Sequence, residues 1–117
     1  MLPPDRHLAI VPGEDWLVAP ITSASFGLER PEVIALWEGK SAPQPLATFT
    51  QPVPLTGGIG RVKHKMYILA TDPARFTQFY DKLKNDPGWV VHTLPCTHYI
   101  QLEMPDELTA ILLKAIP

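Results

Sequence analysis

Lys65-Met66-Tyr67-Ile68-Leu69-Ala70-Thr71-Asp72-Pro73 is the stretch on which the fold turns. Lys65 to Thr71 is a short apolar run, the pattern of a strand covered on both faces. Asp72-Pro73 is expected to stop that strand and open a helix, because Asp suits an N-cap and Pro the first helical position. Phe76, Phe79, Tyr80 and Leu83 follow at i, i+3, i+4 and i+7, one apolar stripe. Lys82 and Lys84 fall where a helix C-terminus favours cations. Asn85-Asp86-Pro87-Gly88 carries turn chemistry.

Downstream, Trp89-Val90-Val91-His92-Thr93-Leu94 reads as a second strand closed by Pro95, followed by a loop from Cys96 to Met104. Pro105 then starts a second helix, with Asp106 and Glu107 in its first turn and Leu108, Ile111, Leu112 and Ala115 as its apolar stripe. The order is strand, helix, strand, helix. The crossover from Asp72 to Gly88 is long enough for a parallel connection of the βαβ type. Such connections are right-handed in about 98% of cases. Both strands would then end on the same edge.

Upstream the chain is different. Of 14 prolines, nine lie between Pro3 and Pro54. Proline fixes φ and removes a donor, so this half is expected to lack long helices and central strands. Trp16 to Val18 reads as a brief strand, and Val33 to Trp37 as one or two helical turns after Pro31. Gln44-Pro45-Leu46 and Gln51-Pro52-Val53-Pro54 favour extended backbone. Thr56 to Gly60 reads as a flexible link. The chain therefore divides into a proline-rich segment, residues 1–62, and a regular βαβα part, residues 63–117.

Composition narrows the function. A length of 117 residues allows one domain at most. Hydrophobic residues at 45% and charged residues at 19% describe a globular chain. A net charge of -2 argues against nucleic acid or an anionic membrane as the main partner. One cysteine excludes a disulfide framework and a multi-thiolate zinc site. No apolar run is long enough to cross a membrane, and the N-terminus lacks a signal-peptide pattern. A cytoplasmic location is the default expectation. His7, His64, His92 and His98 show no metal-ligand spacing. No cofactor is implied. Arg61, Lys63, His64 and Lys65 form a basic lead-in to the first strand, and Trp16, Trp37 and Trp89 read as packing residues.

In open parallel sheets, ligands sit beyond the carboxyl ends of the strands. Asp72 follows the first strand directly, and His98 lies in the loop after the second. If the strands are neighbours, both side chains reach one crevice. A carboxylate that orients a histidine, in that chain order, is two thirds of a nucleophilic triad. A plain helix cap for Asp72 and a plain loop residue for His98 remain the alternatives.

The series Met66 to Thr71, Phe76 to Leu83, Asp86-Pro87-Gly88-Trp89, Leu94-Pro95-Cys96-Thr97-His98 and Met104-Pro105-Asp106-Glu107-Leu108 resembles the C-terminal part of an α/β-hydrolase. It is similar to the esterase-like members related to plant salicylate esterases and hydroxynitrile lyases. Asp15 to Pro20 and Pro43 to Phe49 resemble the end of the lid in bacterial relatives, so the resemblance runs from about Trp16 to Ile116. It implies an α/β fold, His98 as the triad histidine and Asp72 as the acid. Where many relatives carry Gly-His-Asp, this chain has Thr97-His98-Tyr99. The fold's nucleophile belongs in an upstream Gly-x-Ser-x-Gly elbow. Ser23, Ser25 and Ser41 all lack the flanking glycines, and Cys96 reads as a small buried hydrophobe.

Two functions follow. One is a truncated or split carboxylic-ester hydrolase, inactive alone, that acts on a small ester-like substrate only when an N-terminal half completes it. The other is a non-catalytic binding or interaction module derived from the hydrolase tail. In either case the first strand presents an open edge at which self-association is expected.

Overall fold

In the computed structural model, residues 8–116 are described. Pro3, Pro4, His7 and Pro117 lie outside them. Two small sheets divide the molecule. The first is antiparallel, with β1 (Ile10–Val11), β2 (Glu14–Val18) and β3 (Gln44–Pro45) in that order. Pro12 and Gly13 turn β1 back onto β2, and Gly13 takes a φ of 79°, which a side chain would strain. β2 is thus a central strand in the half where none was expected. The reason is local: its five residues contain no proline, and Pro45 lies on an edge strand. A 3₁₀ turn (Ser23–Phe26), α1 (Pro31–Trp37) and the single turn α2 (Ala47–Thr50) complete this half. The glycine-rich link is partly ordered as a 3₁₀ turn over Gly58–Arg61.

The second sheet pairs β4 (Met66–Ala70) with β5 (Val90–Leu94) in parallel, Met66 opposite Val90 and Ala70 opposite Leu94. The connecting helix is α3 (Thr77–Leu83). It begins later than expected. Asp72 and Pro73 do not cap it; they form a turn closed by a Thr71–Ala74 bridge, with a cis Asp72–Pro73 peptide. The expected loop after β5 contains a helical turn, α4 (Ile100–Glu103), before α5 (Pro105–Leu113). The βαβα part therefore has three helices rather than two. Arg30 Nη2 donates to the Glu103 carbonyl across the two halves, which helps hold α4 in place (2.9 Å).

In-register neighbours share a face. Met66, Ile68, Ala70 and Leu94 pack with Cys96, Ile100 and Ile111 on the α5 side. On the other face, Tyr67 meets Phe79 of α3. A second cluster, Phe26, Leu28 and Val33, gathers Trp37, Tyr99 and Leu102 around it. The core is thin. Val33 is the one large side chain among the described residues with less than 2% exposure, and Trp16 is 62% exposed, not a packing residue. The radius of gyration is 16.6 Å, where a compact domain of this length has about 13 Å. No helix of the described residues is long and apolar enough to cross a membrane.

Candidate functional site at the carboxyl edge

Strand pairing continues one step past the sheet. Thr71 N–H donates to the Leu94 carbonyl and Asp72 N–H to the Cys96 carbonyl (3.0 Å each). These bonds tie the turn after β4 to the segment after β5. Asp72 and His98 consequently stand at the same edge of two adjacent parallel strands, where strand polarity puts ligand sites.

His98 is exposed yet held among rings. It stacks on Phe26 (centroids 5.8 Å, 14° between planes) and lies 5.2 Å from Phe76 and 5.9 Å from Tyr99. Its loop is fixed from below. Thr97 is buried, and its N–H donates to Glu103 Oε2 at 2.6 Å. The Thr97 hydroxyl accepts from the Tyr99 N–H at 3.4 Å. Tyr99 packs edge-on against Phe26 (4.5 Å) and Trp37 (4.3 Å), so the proline-rich half supplies part of the histidine's setting. Arg75 adds a second tie, donating from Nη2 to the Ser25 carbonyl at 2.9 Å.

The two residues do not open into one cavity. His98 lines a cavity of about 270 Å³ with Tyr67, Pro73, Arg75, Phe76 and Phe79. Asp72 lines a wider one of about 510 Å³ with Gly27, Arg30, Cys96, Thr97 and Glu103. Pro73 borders both. The proximity expected from chain order is present at the level of the sheet edge; the shared crevice is not. Sequence reasoning also missed the aromatic setting from Phe26 and the Glu103 anchor. The Glu103 anchor takes the backbone N–H of Thr97, a donor that every residue type but proline carries, so no side chain signals it.

Burial raises the Cys96 thiol above its ordinary pKa, helped by Glu103, Glu107 and Asp72, and raises the Tyr67 and Tyr99 phenols. A neutral, buried Cys96 is not set up as a nucleophile. Of the three serines, Ser23 and Ser25 lie in the 3₁₀ turn and Ser41 before β3; none follows a strand into a helix. Among the described residues no group of three His, Cys, Asp or Glu could hold a metal ion.

Comparison with known proteins supports a relationship to esterases. A stretch of 71 residues, 59% of this chain, is 42% identical to part of the carbendazim hydrolyzing esterase of Nocardioides sp. (strain SG-4G). The match spans 29% of that protein's length. No protein-family model and no solved structure matches the chain.

Proposed function

We propose that this chain is the acid- and histidine-bearing C-terminal part of an α/β-hydrolase with carboxylic-ester chemistry, its first 62 residues derived from the lid. The observation that carries the reading is the 42% identity to an esterase over a stretch that fits inside one third of that protein. The parallel pair with Asp72 and His98 beyond its carboxyl ends agrees with it. His98 takes the proton of a serine nucleophile and returns it to the leaving alcohol. Asp72 fixes the imidazole tautomer. Because Asp72 and His98 line separate cavities, that contact has to form when the nucleophile-bearing segment docks. The docking line is the free edge of β4. Lys65 and Thr71 spend their backbone groups on β5, so Met66, Ile68 and Ala70 turn theirs the other way. Without that segment, the edge favours self-association.

The test is reconstitution with the part of the esterase relative that lies outside the matched stretch. Saturable hydrolysis of p-nitrophenyl acetate that disappears with His98→Ala is the expected result. Saturable turnover by the chain alone that survives His98→Ala would sink the reading. The separate cavities of Asp72 and His98 favour the second reading, a non-catalytic module. A sharp monomer boundary in sedimentation, cooperative unfolding and no gain on reconstitution would establish it.

A further inference from the structure

At the opposite, amino-terminal end of the parallel strands lies a cavity of about 370 Å³. It is lined by Lys63, His64, Lys65, Trp89, His92 and Lys114, with Met66, Val90 and Pro87 as apolar wall. None of its lining residues is acidic. The volume falls in the range of about 300–1,000 Å³ typical of small-molecule sites. Of the basic lead-in noted in the sequence, Arg61, Lys63 and His64 are exposed to solvent, while Lys65 is half-buried with its Nζ 5.7 Å from the centre of the Trp89 ring.

Local geometry keeps these cations available. Lys63, Lys65 and Lys114 take part in no ion pair among the described residues. The nearby Asp86 turns its Oδ1 to the Gly88 N–H at 2.8 Å. A Cβ at Gly88 would stand 3.1 Å from that Oδ1 and 3.5 Å from Lys65 Nζ, so a side chain there would push the carboxylate aside by a few tenths of an ångström. Lys114 follows α5 and is partly offset by the helix's carbonyl end, and the Asp86 carboxylate near Lys65 offsets part of that charge, so the three lysines at the cavity still exceed the one carboxylate beside it. Like charges gathered at a cavity with an aromatic wall suit a ligand with a planar apolar body and an anionic group. The cations supply charge-assisted hydrogen bonds, and Trp89, Met66 and Val90 supply apolar contact.

We propose that this cavity binds a small aromatic anion, its ring system against Trp89, Met66 and Val90 and its anionic group between Lys63 and Lys65. The site is independent of the esterase reading, lying at the other end of the sheet from His98.

The probe is naphthalene-2-sulfonate, titrated into the full chain while amide and indole NMR shifts are followed. Expected are saturating shifts centred on the Trp89 indole and on residues 63–66 and 88–92. The neutral 2-naphthol, and inorganic phosphate without a ring, should each bind at least about tenfold more weakly. Lys63→Gln with Lys65→Gln should weaken the sulfonate by about tenfold or more. Lys63→Gln alone, at an exposed position, serves if the pair perturbs folding. Equal affinity for sulfonate and naphthol would overturn the proposal. So would unchanged binding in the lysine variants, shifts centred on Tyr67 and Phe79, or phosphate binding as tightly as the aromatic anion.

Discussion

The described residues from β4 onward are held by pairing between distant segments, whereas the proline-rich half is held by short contacts and one aromatic cluster. In the βαβα part, two five-residue strands run in full register, and α5 covers one face. In the other half, strands of two, five and two residues meet at two registered pairs each. The reason lies in the chain: proline breaks ladders, so this half builds only where a proline-free run such as Glu14 to Val18 permits. Yet the weaker half is not an appendage. Phe26 and Trp37 from it surround Tyr99, and Phe26 stacks on His98. The candidate site is therefore on the seam between the two regions.

The sharpest way to break that comparison is kinetic. In a reconstituted enzyme, His98→Ala should lower kcat by up to about a millionfold, and Asp72→Asn by about ten-thousandfold, following the asymmetry known for triads. Steady-state hydrolysis of an activated ester measures both. If Asp72→Asn leaves the rate unchanged, the acid is another residue and the regular half carries only the histidine.

The next effect is on stability. Ile111→Ala opens a cavity in the cluster under the parallel sheet and should cost about 3 kcal/mol. Val33→Ala in the proline-rich half should cost about 2 kcal/mol, since less volume is removed. Urea unfolding followed by circular dichroism reads both. One shared transition shifted by either variant would show that the seam couples the halves. Two transitions, each moved by one variant, would show that they unfold separately.

How much of this was legible in the sequence follows the same division. The apolar run of β4, the β-branched residues of β5 closed by Pro95, and a proline-started helix left little choice for β4, β5 and α5. α3 starts later than the sequence suggests because Asp-Pro serves equally in a turn and at a helix start. Chain polarity put Asp72 and His98 at one edge, but nothing in their spacing told which side of Pro73 each side chain would take. Phe26 beside His98 was invisible, because it depends on how the two halves meet. The similarity to an esterase added chemistry that neither periodicity nor spacing contains.

A smaller effect tests the support of the histidine loop. Glu103→Ala removes the acceptor of the Thr97 N–H on a buried residue, which should cost about 1–3 kcal/mol. In a reconstituted enzyme it should also lower kcat without loss of folding, because His98 follows Thr97 directly. Denaturant midpoints and rates, measured together, separate the two consequences. A variant with full stability and full rate would show that the seam positions the histidine by its rings alone.

The smallest effect concerns Cys96, in the cluster shared by the strands and α5. Burial, then the carboxylates of Glu103, Glu107 and Asp72, hold its pKa above the ordinary thiol value. The folded chain therefore binds the thiol proton more tightly than the unfolded chain does. That contribution to stability is fully present below the ordinary thiol pKa and is lost as pH rises through the higher folded value. At neutral pH the thiolate fraction is below that of a free cysteine, so iodoacetamide should alkylate Cys96 more slowly than it alkylates a free thiol. Adding denaturant should restore the ordinary rate. Glu103→Gln removes one of the raising charges while keeping an amide oxygen as acceptor for Thr97, and should speed alkylation modestly at a fixed pH. Alkylation of the native chain at the free-thiol rate would mean that the cluster beneath the parallel sheet opens readily. The regular half would then be no better packed than the proline-rich one.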